Sequence, residues 1–186
     1  MLEDDSILEG CIAGSRSAQS ALYRKYSPVM MAVCLRYAQN RDEAEDILQE
    51  AFLKIFQNIR SFRKEGSFEG WMKRIMINHA LNYFRKNRRM PFIEDLEAIN
   101  EKEVMENDDQ ISVHAPVSAD TIIALIQMLP PGYRLVFNMY VFEEYSHKEI
   151  SEALLISENT SKTQLLKARR MLRKKLYEKN LVKNTP

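Results

Sequence analysis

Residues 66–89 read GSFEGWMKRIMINHALNYFRKNRR. Met72, Ile75, Met76, His79, Ala80 and Tyr83 recur at helical spacing, the pattern of a face turned toward a core. Trp71, Arg74, Asn78, Asn82, Arg85 and Arg89 form a further stripe on the same helix, and burial does not account for it. An indole stacks on a base, carboxamides hydrogen-bond base edges and guanidiniums hold phosphates, so this stripe offers the contacts a single nucleic-acid strand accepts. A core helix with a solvated basic end fits the same letters. The flanking sequence has to choose between them.

Immediately before the helix, SFRKEGSFEG at 61–70 reads as a loop rich in glycine and phenylalanine. Aromatic rings in a basic loop beside the stripe can wall a pocket for a base turned out of its stack, and Phe62 and Phe68 can equally tuck the loop onto a core. Upstream again, RDEAEDILQEAFLKIFQN at 41–58 is the clearest helix in the chain. Asp42 and Glu45 have the spacing of a reciprocal cap, and Ala44, Ile47, Leu48, Ala51 and Ile55 make the buried stripe, widened by Phe52, Phe56 and Ile59. The opposite face carries Asp42, Asp46, Gln49 and Glu50, which suits either solvent or a basic partner surface. Toward the start, a short helix over 4–13 is expected to stop at Gly14 and another to run from Ser15 to Tyr26. Ser27 and Pro28 have the form of a helix restart.

Charge sorts the rest of the chain. The net is only +1 over 186 residues, yet 60–89 is basic, 94–109 is acidic and the segment from Lys162 onward is basic again. Two basic blocks around an acidic spacer fit two modules facing nucleic acid. With 45% apolar residues the chain can build one ordinary domain or two small ones, and five glycines with no alternating strand pattern point to an all-α protein. Cys11 and Cys34 share no motif spacing and are expected to stay reduced. The acidic N-terminus and the lack of a long apolar run predict a soluble, cytoplasmic chain.

Residues 90–118 contain Pro91 and Pro116 and no sustained helical stripe, and read as an acidic, extended or disordered linker. Two helices follow, broken at Pro130 and Pro131. Then comes SHKEISEALLISENTSKTQLLKARRMLRKKL at 146–176. Ser146 and Glu149 are spaced for a capping box; Ile150, Ala153 and Leu154 line a short helix, and a turn at 155–157 leads to a longer one. In that second helix Leu165, Ala168, Leu172 and Leu176 face inward, with Lys162, Thr163, Leu166, Lys167, Arg170 and Lys174 outward. This is the pattern of a helix-turn-helix, whose second helix enters the major groove. An antiparallel helical hairpin with a basic surface shares it.

Residues 18–89 resemble region two of the bacterial RNA polymerase sigma factors, in the extracytoplasmic-function subfamily that keeps only regions two and four. The resemblance rests on RDEAEDILQEAFLKIF and SFRKEGSFEGWMKRIMINHALNYFRKNRR. The segment LPPGYRLVFNMYVFEEYSHKEISEALLIS followed by ENTSKTQLLKARRMLRKKL resembles region four. It implies region two over 1–89, the acidic linker over 90–118 and region four over 119–186. It further implies that Asp42, Asp46, Gln49 and Glu50 dock on core RNA polymerase. Phe62, Ser67 and Phe68 would then capture a flipped base of the minus-ten element, beside Trp71, Arg74, Asn78, Asn82 and Arg85. By the same resemblance, Lys162, Thr163, Leu166 and Lys167 read the minus-thirty-five element, with Arg170 and Lys174 on phosphates. The sequence departs from the family at Leu155, where glycine is usual, and at Asn159 to Ser161, where Gly-Thr-Val is usual. Leucine there would be strained if the turn needs a positive backbone angle, and Ser161 opens the inner stripe where an apolar residue is expected.

The function implied is that of a promoter-specificity subunit with core RNA polymerase and promoter DNA as partners, no cofactor and no small-molecule substrate. Many members of the family are also held by an anti-sigma factor. A stand-alone helix-turn-helix regulator would need neither the acidic helix nor the aromatic loop. An enzyme acting on nucleic acid is disfavoured, because His79, His114 and His147 lack metal-ligand spacing and the chain has no glycine-rich phosphate loop.

Overall fold

The computed structural model describes the backbone of residues 2–86 and 117–179. Within these the protein is all α, with α1 Leu2–Ile12, α2 Arg16–Tyr37, α3 Arg41–Asn58, α4 Phe68–Lys86, α5 Ala119–Gln127, α6 Pro131–Val141, α7 His147–Leu154 and α8 Glu158–Glu178. A single 3₁₀ turn, Ile59–Ser61, follows α3. The helices fall into two compact units, α1 to α4 and α5 to α8. Most of the expected linker lies outside the described residues, as does Arg89. No described helix is long and apolar enough to cross a membrane.

In the first unit α2, α3 and α4 pack mutually, with α1 against α2. Ala44, Ile47, Leu48, Ala51, Phe52 and Ile55 of α3 and Met72, Met76, Ala80 and Phe84 of α4 are buried. Each large member contributes about 1.5–3 kcal/mol on burial, which is what holds short helices together. Cys34 lies in this core with its thiol 3.9 Å from the Met76 sulfur, and burial pushes the thiol up to about 12, so it stays protonated. Cys11 is also buried and unpaired.

Two local expectations need correction. The helix does not restart at Ser27: α2 runs unbroken through Pro28, from an N-cap at Ser15. Pro28 and Arg24, the residue whose carbonyl its missing N–H would have bonded, are both exposed, so the bond is lost on the solvent side of the helix. Apolar anchors before and after it, Leu22, Tyr26, Met30 and Val33, hold one continuous buried stripe. The cap of α3 is Asn40, not Asp42: the Glu43 amide donates to Asn40 Oδ1 at 2.8 Å, and Glu43 Oε2 accepts from the Gln39 amide at 2.6 Å. Glu43 is thereby buried, while Glu45 instead pairs with Arg41 at 2.8 Å on the surface.

In the second unit α8 packs along α6 and α7. Its core is Leu125, Ile126, Leu129, Leu135, Val136, Met139, Ile150, Leu154, Leu165, Leu166 and Ala168. Pro131 opens α6 at its first turn. Gly132 lets the Gln164 carboxamide approach closely, since a β-carbon there would stand 3.1 Å from Oε1. The Ser146 and Glu149 capping box forms as expected, and its bonds to the Ser146 amide and hydroxyl hold the Glu149 carboxyl below the usual carboxylate range.

Candidate nucleic-acid and polymerase interfaces

The two stripes of α4 separate in the structure. Met72, Met76, His79 and Ala80 are buried, with Ile77, Leu81 and Phe84 joining them, whereas Arg74, Asn78 and Asn82 are exposed and Trp71 is half-buried. The start of α4 is set by Ser67, whose hydroxyl accepts from the Gly70 amide at 3.0 Å and whose carbonyl accepts from the Trp71 amide at 3.1 Å. Arg85 lies on the same helix.

Beside this stripe is a cavity of 380 Å³, walled by Phe62, Arg63, Glu65, Ser67, Trp71 and Arg74. Phe62 lies 5.6 Å from Trp71 between ring centroids. Phe68 does not reach the cavity; it stacks behind Trp71 at 5.6 Å and 18° and meets Tyr26 edge-on at 6.0 Å. The loop phenylalanines thus divide the two roles left open by the sequence: Phe62 walls the pocket, and Phe68 anchors it to the core. Arg63 and Glu65 were not singled out from sequence, although their place in the same short loop was the available signal. Lys64 and Gly66 hold positive φ, 58° and 114°, and bend the loop around the opening. The cavity combines flat aromatic walls with one carboxylate and two guanidiniums, a set that can stack a base and grip its phosphates.

On α3, Asp42, Asp46, Gln49 and Glu50 are all exposed along one face, and Leu53, 61% exposed, continues it by one turn. Glu50 is the member with contacts across the seam to α4: its carboxylate lies 2.9 Å from His79 Nε2.

In the second unit the turn between α7 and α8 is left-handed at Leu155, φ 57° and ψ 45°, with the side chain 82% exposed. The α8 N-cap is Ser157, whose hydroxyl accepts from the Thr160 amide at 2.9 Å. Lys162, Arg170 and Lys174 are exposed, and Thr163 and Lys167 half-buried. Leu166, expected outward, is buried. The reason is that α8 meets both α6 and α7, so its buried arc is wider than one stripe and takes in Ser161, Gln164, Leu165 and Leu166. Ser161 is fully buried and shares a 2.9 Å hydrogen bond with His147 Nδ1, which fills the polar gap in the stripe. The His147 ring stacks on Tyr140 at 4.7 Å. Burial, with help from Lys162 and Arg169 and against Glu158, lowers the His147 pKa.

Among known proteins, the Sigma-70 region 2 model matches residues 22–90 and the Sigma-70 region 4 model residues 119–172. The ECF RNA polymerase sigma factor SigW of Bacillus subtilis is 31% identical over 174 residues, covering 89% of this chain and 92% of that protein. The chain belongs to the extracytoplasmic-function RNA polymerase sigma factors. The RNA polymerase sigma-H factor of Pseudomonas aeruginosa is a further relative, 28% identical over 182 residues and covering 94% of each chain. The sigma factor RpoE of Bartonella quintana, solved in complex with the anti-sigma factor NepR, shares the fold at a TM-score of 0.50 and 17% identity, covering 85% of this chain and 96% of that one. As a sigma factor, the protein is a non-catalytic subunit that directs RNA polymerase to promoter DNA for transcription initiation.

Proposed function

We propose that the two units divide promoter recognition between them, region two over 1–89 and region four over 119–186, joined through 90–118. The aromatic-walled cavity beside Trp71 receives a base flipped out of the minus-ten element, Phe62 and Trp71 stacking on it and Ser67 and Glu65 offering polar groups at its edge. Asn78 and Asn82 hydrogen-bond neighbouring bases, while Arg74 and Arg85 hold the strand's phosphates. Phe68 serves by backing Trp71. In region four, Lys162, Thr163 and Lys167 meet base edges of the minus-thirty-five element and Arg170 and Lys174 its phosphates. The exposed face of α3, Asp42, Asp46, Gln49 and Glu50, docks on core RNA polymerase in the cytoplasm. The observation that carries this reading is the coincidence of the cavity with the one α4 face that burial leaves out.

Mapping transcript starts made in vitro from fragmented bacterial DNA by core RNA polymerase, with and without the protein, tests it. New starts that share two upstream elements at fixed separation are expected, and Trp71→Ala should abolish them while association with polymerase persists. Wild-type activity in Trp71→Ala would remove the cavity from the reading.

A further inference from the structure

His79 sits on the seam between α3 and α4, buried to 6% exposure, and its ring nitrogens face two charged groups of α3. Lys54 Nζ lies 2.8 Å from Nδ1, and Glu50 Oε2 lies 2.9 Å from Nε2. An ammonium can only donate, so Nδ1 is the acceptor and the ring proton sits on Nε2, facing the carboxylate. That second approach is short but off the line of a well-directed hydrogen bond, so the carboxylate meets the N–H dipole at an angle. The Glu50 side chain is 61% exposed and would otherwise sweep several rotamers. The ring tethers it at the edge of the acidic face nearest α4. On α4 itself, His79 follows Asn78 directly and precedes Asn82 by one turn.

We propose that His79 is a positioning residue that links polymerase docking to the DNA-reading helix. It holds the Glu50 carboxylate ready for a basic group on core RNA polymerase. Because the same ring is packed into α4, drawing Glu50 outward changes the restraint on the helix that presents Asn78 and Asn82. Such a link is reciprocal: whatever polymerase contact does to α4, engagement of α4 by DNA does to Glu50. The inference rests on the reading of α3 as the docking face.

The test is a double-mutant cycle on the full chain, titrated against core RNA polymerase: wild type, Glu50→Gln, His79→Leu and both together, with His79→Gln as rescue. Glutamine has an oxygen that can accept from Lys54 and an amide that can donate to Glu50, so it replaces both functions of the neutral ring; leucine replaces neither. Glu50→Gln should weaken binding to polymerase more in the wild type than in the His79→Leu background, by roughly three- to ten-fold. His79→Gln should restore most of that difference. In assembled holoenzyme, His79→Leu should weaken capture of a single-stranded promoter oligonucleotide, and His79→Gln should not. Should His79→Leu fail to fold, Lys54→Met removes a ring partner from the half-buried rim and must show the same coupling to Glu50. Asp46→Asn separates the two levels of the argument. If it weakens polymerase binding while the Glu50 and His79 effects simply multiply, the docking face stands and the role of His79 is overturned. If neither Asp46→Asn nor Glu50→Gln has any effect, the docking face falls and the proposal with it.

Discussion

Leu155 combines a left-handed backbone with an exposed apolar side chain, and replacing it with glycine should stabilise region four. Its φ of 57° and ψ of 45° lie in the left-handed region, and its side chain is 82% exposed, so packing returns little for the strain. The backbone gains what it can: the amides of Leu155 and Ile156 both reach the Ser151 carbonyl. A side-chain-bearing residue in this conformation costs about 1–2 kcal/mol relative to glycine. Glycine in turn gives up about 0.5–1 kcal/mol through the freedom of the unfolded chain. Losing the fifth of the leucine that is covered costs a further ~0.4 kcal/mol. The expected net gain is about 0.3–0.4 kcal/mol for Leu155→Gly. Leu155→Ala keeps the strain and loses the same contact, so it should fall slightly below wild type. The comparison of glycine with alanine therefore isolates the backbone term at about 0.5–1 kcal/mol. Amide hydrogen exchange over 147–166, read by mass spectrometry, measures it where it acts, since Trp71, the only tryptophan, reports on the other unit. Exchange in the glycine variant should be slower than in the alanine variant by roughly two- to five-fold. Equal rates in the two variants would refute the claim that the turn is strained.

Glu43→Ala removes the acceptor for the Gln39 amide and opens the α3 N-terminus. It should lower the stability of the first unit by about 1–2 kcal/mol, measured by denaturant unfolding with Trp71 fluorescence. Trp71→Ala should reduce the affinity of holoenzyme for a single-stranded minus-ten oligonucleotide by about ten-fold or more, the stacking contribution of one ring, while duplex binding through region four is retained. His147 has a pKa lowered from 6.5, so on acidification the unfolded chain takes up its proton before the folded one does. The stability it confers is therefore fully present above about pH 6.5 and is lost as the pH falls through the window beneath it; in His147→Gln, melting temperatures of the second unit should lose that part of their pH dependence.

How far the fold could be read from the letters depended on whether a signal was local and periodic. The bounds of α3, the two faces of α4, the Ser146 and Glu149 box and the awkwardness of Leu155 are all set by residues within one or two turns of each other, and each is found. The break expected at Ser27 is absent because buried anchors on either side of Pro28 outweigh one missing backbone bond on an exposed side. Asp42 lost the cap to Asn40 because cap choice turns on where the chain leaves the extended region, here φ −148° and ψ 177° at Asn40, and two plausible caps stood two residues apart. Leu166 turned inward because helical spacing gives the direction of a buried face but not its width, and the width depends on how many helices lie against it. The separation of Phe62 from Phe68 was likewise illegible: Phe62 lies in the loop and Phe68 opens α4, both rings lie against Trp71, and only the further contact of Phe68 with Tyr26 tells support from wall.

Among the buried polar side chains, Glu43, His79 and Ser161 stand where a helix begins or two helices meet, which argues for a purpose beyond stability. Glu43 closes the start of α3, His79 lies between α3 and α4 against Lys54 and Glu50, and the Ser161 hydroxyl meets His147 where α8 begins. Apolar residues at these junctions would bury as much surface, yet apolar packing tolerates small rotations and slides, whereas a hydrogen bond depends on both the distance and the direction of its partners. A subunit that must present two sets of DNA contacts at fixed separation has more use for defined helix orientation than for an additional kcal/mol. On this view Ser161 does not weaken the recognition helix. It exchanges nonspecific packing for a directional contact that sets the rotation of Lys162, Thr163 and Lys167 about the helix axis. The departure from the family pattern at this position is then matched by the His147 partner fourteen residues upstream.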